Sequence, residues 1–72
     1  MKQWVIMGAY EDIGAGLICV LPIGYTKEQA AHVVKRMTTN PSHTERIMMG
    51  DAKIVWAEEV EADDAWWNNN CD

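Results

Sequence analysis

The stretch Tyr25-Thr26-Lys27-Glu28-Gln29 decides the fold, because it predicts where the chain passes from strands into a helix. The Thr26 hydroxyl can accept a hydrogen bond from the first helical turn, and the Gln29 side chain can reach back to the Thr26 backbone N–H. Together they form a capping box, with Tyr25 at the position of a hydrophobic staple. The segment therefore predicts a helix that begins just after Thr26.

The residues that follow this start carry one apolar stripe. Ala30, Val33, Val34 and Met37 recur at i, i+3, i+4 and i+7, the spacing of one helix face. The residue before Pro41 disfavours helical backbone, so we expect the helix to end by Asn40.

Two strands are predicted upstream of the helix. Residues Gln3 to Tyr10 alternate between two faces, and residues Leu17 to Leu21 form an apolar run bounded by Pro22. The segment between them, residues 11–16, contains two glycines and two acids and is typical of a hairpin loop. Because this connection is too short for a crossover, we expect the two strands to pair antiparallel.

Downstream of the helix, residues Lys53 to Val60 are rich in β-branched and aromatic side chains and predict a strand. Residues 42–50 allow two interpretations. Ser42 and Glu45 could form a second capping box that opens a short helical turn. Alternatively, Thr44 to Met49 is a strand joined to the next one by a type II′ turn at Gly50-Asp51, and this interpretation is slightly favoured.

These elements predict an α+β fold: a small antiparallel sheet of three or four strands with one α-helix on one face, in the order ββαβ or ββαββ. Residues 1–60 would form this single domain and residues 61–72 an acidic tail bearing tryptophans. One helix can cover only one face of the sheet, yet the first two strands are apolar on both. We therefore expect the second face to be covered by self-association, by the tail or by a partner.

The charge of the 72-residue chain is concentrated at its C-terminal end. The net charge is −5, and the last fifteen residues hold six acidic side chains and no basic one, whereas the preceding 57 hold six basic and five acidic side chains. An acidic chain is repelled by nucleic acid phosphates and by anionic membranes, so direct binding to either is not expected.

Cysteine content and hydropathy point to a cytoplasmic protein. Cys19 lies in an apolar run and Cys71 is the penultimate residue, which does not resemble the disulfide framework of small secreted domains. No apolar stretch approaches the roughly 20 residues that span a bilayer, and no signal peptide pattern is present.

No residue pattern indicates catalysis, a cofactor or a metal. The two histidines, His32 and His43, are not paired with other ligands at the close spacing typical of zinc sites. Ser42 next to His43 is more simply a cap or turn residue than a nucleophile. The chain is therefore not expected to be an enzyme.

Acidic and aromatic side chains together predict a partner-binding site at the C-terminal end. Trp66 and Trp67 could either cover the bare sheet face as a lid or dock onto another molecule, since tryptophan is enriched at binding hot spots. Neighbouring acids would steer encounter with a basic surface. The candidate partner-binding residues are Glu58, Glu59, Glu61, Asp63, Asp64, Trp66 and Trp67.

This pattern predicts a small non-catalytic protein that occupies the basic groove of a protein partner. A nucleic-acid-handling protein fits best, because its groove already accommodates phosphates and flat rings. In size and acidity the chain resembles accessory proteins of bacteriophages that inhibit host enzymes, although it carries no motif of such a family. The alternative is a structural homo-oligomer, at its smallest a homodimer, assembled through the uncovered apolar sheet face.

Overall fold

The computed structural model describes residues 2–61, which form an α+β fold with one three-stranded antiparallel sheet and two helices. The predicted α+β class with a small antiparallel sheet is thereby confirmed. The elements along the chain are β1 (Lys2–Tyr10), β2 (Gly14–Val20), α1 (Lys27–Thr39), α2 (His43–Met49) and β3 (Ile54–Glu61). The strand order is β2-β1-β3, so the first strand lies in the centre and the last one at an edge.

The predicted hairpin between β1 and β2 is confirmed, with a shorter loop than expected. Only residues 11–13 separate the strands, and Gly14 pairs with Tyr10 at a φ of 75°. A positive φ costs glycine little, so Gly14 can take this backbone conformation directly after the loop. A bulge further along lets Cys19 pair with Ile6 while Leu17 pairs with Met7, so Ile18 is the extra residue.

Helix α1 begins where the capping box predicted. The Gln29 backbone N–H donates to the Thr26 hydroxyl at 3.2 Å, and the Thr26 N–H donates to the Gln29 side chain at 2.8 Å. Both bonds satisfy donors that the first helical turn leaves without partners. The apolar stripe faces the sheet, with Ala30 and Met37 buried.

The strand interpretation of residues 44–49 is wrong, because His43–Met49 form α2. The Glu45 N–H donates to the Ser42 hydroxyl at 3.2 Å and the Ser42 N–H donates to the Glu45 carboxylate at 2.8 Å, the alternative capping box. Glu45 also forms an ion pair with Arg36 of α1. These local bonds favour the helix, and β3 does not need a partner from this segment because it pairs with the central strand β1.

The turn predicted at Gly50-Asp51 is present, but it joins a helix to a strand. Gly50 has φ 55° and ψ −124°, close to the first central position of a type II′ turn, and the Ala52 N–H donates to the Met49 carbonyl at 3.1 Å. The sequence signal for the turn was therefore correct, whereas the structure preceding it was misassigned.

Both helices pack on one face of the sheet. Ile6, Leu21, Ala30 and Met37 form the buried core there, and Met49 of α2 packs against the same cluster. Val5 points to the opposite face, because successive side chains of a strand alternate, and it is nonetheless 0% exposed. Within residues 2–61 no helix is both long and apolar enough to cross a bilayer.

Candidate functional site

Strand β3 carries the predicted acidic residues that the structure describes, and it separates them. Glu58 pairs with Val5 and Glu59 with Trp4, so their side chains project from opposite faces of the sheet. Both side chains are exposed. The Trp56 indole N–H donates to Glu58 at 3.2 Å, which holds that carboxylate beside an aromatic ring.

Glu61 shares a face with Glu59 but is engaged differently. It pairs with Lys2 across the sheet, and the Lys2 ammonium lies 3.3 Å from its carboxylate. Part of its charge is therefore balanced within the domain. The other predicted partner-binding residues, Asp63, Asp64, Trp66 and Trp67, lie outside the described residues.

The exposed side chains of Glu58 and Glu59 both lie next to the outer edge of β3. Among residues 2–61, β3 pairs only with β1, so one row of its backbone N–H and C=O groups has no strand opposite it. An edge of this kind is a template for pairing with another extended chain. Ile54 at the start of the strand is 63% exposed, which leaves an apolar side chain beside the same edge.

A shallow apolar groove of about 280 Å³ runs between α1 and β3. Lys27, Ala31 and Val34 stand on one side at i, i+4 and i+7 of the helix, a spacing that places them on one helix face. The other side and the floor are formed by residues of the sheet: Trp4, Val55, Trp56 and Ala57. Among residues 2–61, β3 is an edge strand of the sheet, so the groove lies next to that edge strand, and Ala31 contributes only a small side chain to it.

A larger depression of about 530 Å³ lies at the far end of the sheet, between the β1–β2 loop and the loop before β3. Its charged residues are Glu11, Asp12, Asp51 and Lys53, all exposed, and the Lys53 ammonium lies 4.0 Å from Glu11. Within the described part of the chain, no three His, Cys, Asp or Glu side chains converge in a way that could hold a metal ion.

Cys19, on β2, is a half-buried free thiol. Burial raises the pKa of the Cys19 thiol, and the nearby Glu45 carboxylate raises it further. A raised pKa keeps the side chain as a thiol at neutral pH, and the thiolate is the reactive form. Cys19 thus behaves as a core residue.

His32 and His43 occupy separate exposed positions. His32 borders a small depression beside α1, and His43 is the first residue of α2. Ser42, the possible nucleophile beside it, is the cap of α2.

Comparison of the chain with protein family models, with curated proteins and with solved structures finds no match. The function of the protein is therefore inferred from the chain's own sequence and geometry. Sequence reasoning missed the groove, although one signal was present: Ala31 is a small apolar residue on a helix position outside the main stripe.

Proposed function

We propose that this protein is a non-catalytic binding module whose acidic C-terminal end engages a basic surface of a protein partner. The observation that carries the proposal is the charge distribution: six acids without a base in the last fifteen residues, of which Glu58 and Glu59 are exposed on the edge strand. Surface acids grouped on a partner-facing element raise the association rate with a basic surface.

The geometry of β3 supports an approach along its edge. Because Glu58 and Glu59 project to opposite faces, a partner lying flat on either face would meet only one of them. A partner that reaches the edge can place basic groups on both sides of the strand.

A nucleic-acid-handling protein is the partner class that this chemistry fits best. Such proteins bind the phosphate backbone through lysine and arginine and stack bases on flat side chains. In this proposal Glu58, Glu59, Glu61, Asp63 and Asp64 stand in for phosphates, and Trp66 and Trp67 fill base-stacking or apolar pockets. The protein would act by occupying the groove, as a stoichiometric inhibitor.

The test is a capture experiment with two charge-matched variants. The first replaces Glu58, Glu59, Asp63 and Asp64 by their amides, and the control replaces Glu11, Asp12, Glu28 and Asp51 in the same way. We expect the wild-type chain and the control to retain basic proteins that elute with salt, and the first variant to lose them. Equal loss with both variants, or retention of acidic proteins only, would overturn the proposal.

A structural homo-oligomer is the second candidate, and one observation favours it. On the sheet face away from the helices lie several apolar side chains that are only partly buried: Met7, Leu17, Val20, Trp56 and Val60. Two copies could bury these side chains against each other. This candidate predicts a stable dimer that persists when the acids of the first variant are neutralised.

A further inference from the structure

We propose that β3 receives an extended basic peptide of the partner as a fourth strand, with apolar side chains of that peptide seated in the groove between α1 and β3. This inference rests on the proposed function and specifies how the partner is held. Strand addition of this kind draws affinity from backbone hydrogen bonds and specificity from pockets for alternate side chains.

The backbone of β3 supplies the first requirement. Within the described residues, β3 is the last strand on this side of the sheet. Its outer N–H and C=O groups therefore point away from β1. An incoming strand would lie about 4.8 Å from β3 and would satisfy these groups in pairs.

The groove supplies the second requirement. Alternate side chains of an added strand would point toward the helices, and there they meet the groove lined by Val34 and Val55. Ala31 is exposed and small, so the groove has space beside the helix. Lys27 contributes mainly its methylene stem, since long basic side chains keep the charged end in water.

Charge selects a basic peptide over a second copy of this chain. Three exposed charges lie on β3: Glu58 on one face, and Glu59 and the Lys2-paired Glu61 on the other. A second copy that paired antiparallel through the same edge, in a register centred on these residues, would bring its own Glu58 and Glu59 beside them, and like charges across a strand pair are destabilising. A lysine or arginine beside these positions would instead gain a favourable cross-strand pair.

The experiment uses the full chain and a defined probe, a seven-residue peptide alternating Thr and Val between terminal lysines. Backbone amide signals of residues 54–61 are followed by nuclear magnetic resonance, together with their hydrogen exchange. We expect shifts centred on residues 55–59 and slower exchange of amides in β3. Binding should weaken at least tenfold when terminal glutamates replace the lysines, and at least tenfold when alternate peptide nitrogens are methylated.

The groove is tested by Ala31→Leu, which fills it while keeping a strong helix former. The control is Lys35→Leu, which adds the same side chain at another exposed position of α1. We expect a tenfold or greater loss of peptide affinity for Ala31→Leu and less than twofold for Lys35→Leu. The methylated peptide needs no protein variant, so the edge contact is tested even if Ala31→Leu unfolds.

Four results would overturn the inference. The first is that the amide signals of β3 do not shift at millimolar peptide, and the second is that methylation of the peptide does not weaken its binding. The third is that the β3 amide signals shift with protein concentration when no peptide is present. The fourth is that the amides on the outer edge of β3 are protected from hydrogen exchange in the free protein at every concentration. The third would assign the edge to a second copy and the fourth to another segment of this chain. The capture experiment separates the two proposals. If the variant with amides at positions 58, 59, 63 and 64 loses its basic partner in these cases while the control variant keeps it, the proposed function stands and only the mode of binding fails.

Discussion

At the scale of single residues, Gly8 shows how tightly the sheet and the loop before β3 approach each other. A Cβ added at Gly8 would lie 2.8 Å from Ile18 Cδ1 and 3.0 Å from the Ala52 Cβ. The Ile18 methyl group can rotate away, but the Ala52 Cβ is fixed to the backbone. A side chain at position 8 would therefore require the backbone at Ala52 to move away by a few tenths of an ångström.

We expect Gly8→Ala to destabilise the fold by about 1–3 kcal/mol, the usual range for an overpacked core. Thermal or denaturant unfolding measures the change. Gly8→Ala combined with Ala52→Gly should recover part of the loss, because it removes the contact that cannot relax. Unchanged stability of Gly8→Ala would show that the loop is further from β1 than described.

Glu45 is the second residue with a defined environment, since it joins α1 to α2. It is 9% exposed, and the hydrogen bond from the Ser42 backbone N–H lowers the pKa of the Glu45 carboxyl more than burial raises it, with a further lowering by the charge of Arg36. A folded-state pKa below the unfolded value means that ionised Glu45 stabilises the folded state. That stability is fully present above the ordinary glutamate pKa of about 4.3. It is lost as the pH falls through the lower pKa that Glu45 has in the folded state.

We therefore expect Glu45→Gln to lower the melting temperature at pH 7 and to have much less effect near pH 3. The amide can still accept the Ser42 N–H bond, so the variant removes the charge and keeps the cap. Glu28→Gln, at an exposed position in the first turn of α1, serves as the control. A pH-independent difference between wild type and Glu45→Gln would contradict this account.

At the scale of elements, the start of α1 depends on the Thr26 capping box. Thr26→Ala removes the hydroxyl that accepts the Gln29 N–H and should cost about 1 kcal/mol. In a domain of this size that corresponds to a fall in melting temperature of about 4–8 °C. Thr26→Ser keeps an accepting hydroxyl and should stay near wild type. A helix that began elsewhere would leave Thr26→Ala without effect.

The elements that the sequence predicted correctly are those with local signals. The α1 cap and stripe, the β1–β2 hairpin and β3 each carry a pattern that needs no knowledge of distant residues. Residues 43–49 carry two competing patterns, and the choice depends on contacts far along the chain. The Arg36–Glu45 ion pair and the pairing of β3 with β1 decide for the helix, and neither could be seen from the segment itself.

At the scale of the whole molecule, the candidate site was only partly visible in the sequence. The acids were evident from composition, but their arrangement depends on β3 lying at an edge and on strand alternation. The groove arises where α1 crosses beside β3, a tertiary relation that no local pattern encodes. Sequence reasoning therefore identified the charge and missed the surface that presents part of it.

The arrangement of apolar side chains across the described surface bears on the oligomeric state. The large apolar residues exposed by 40% or more are Ile13, Ile23, Ile47, Met48 and Ile54, which lie in two loops, one helix and an edge strand. They do not gather on the sheet face away from the helices, where Val5 is 0% exposed. Scattered apolar residues are ordinary on soluble proteins and do not by themselves mark an interface.

We accordingly expect the isolated protein to sediment as a monomer of 8.2 kDa over about 10 to 200 µM, the concentrations at which a weak dimer of micromolar affinity would form. The proposed binding mode excludes a dimer built on β3, since such a dimer would occupy the edge. A sheet-face dimer would instead be dispersed by Leu17→Lys, which places a charge on the face away from the helices, and would survive Ile47→Lys on α2. A dimer with that pattern would favour the structural homo-oligomer, whereas a monomer would show that no second copy occupies the β3 edge.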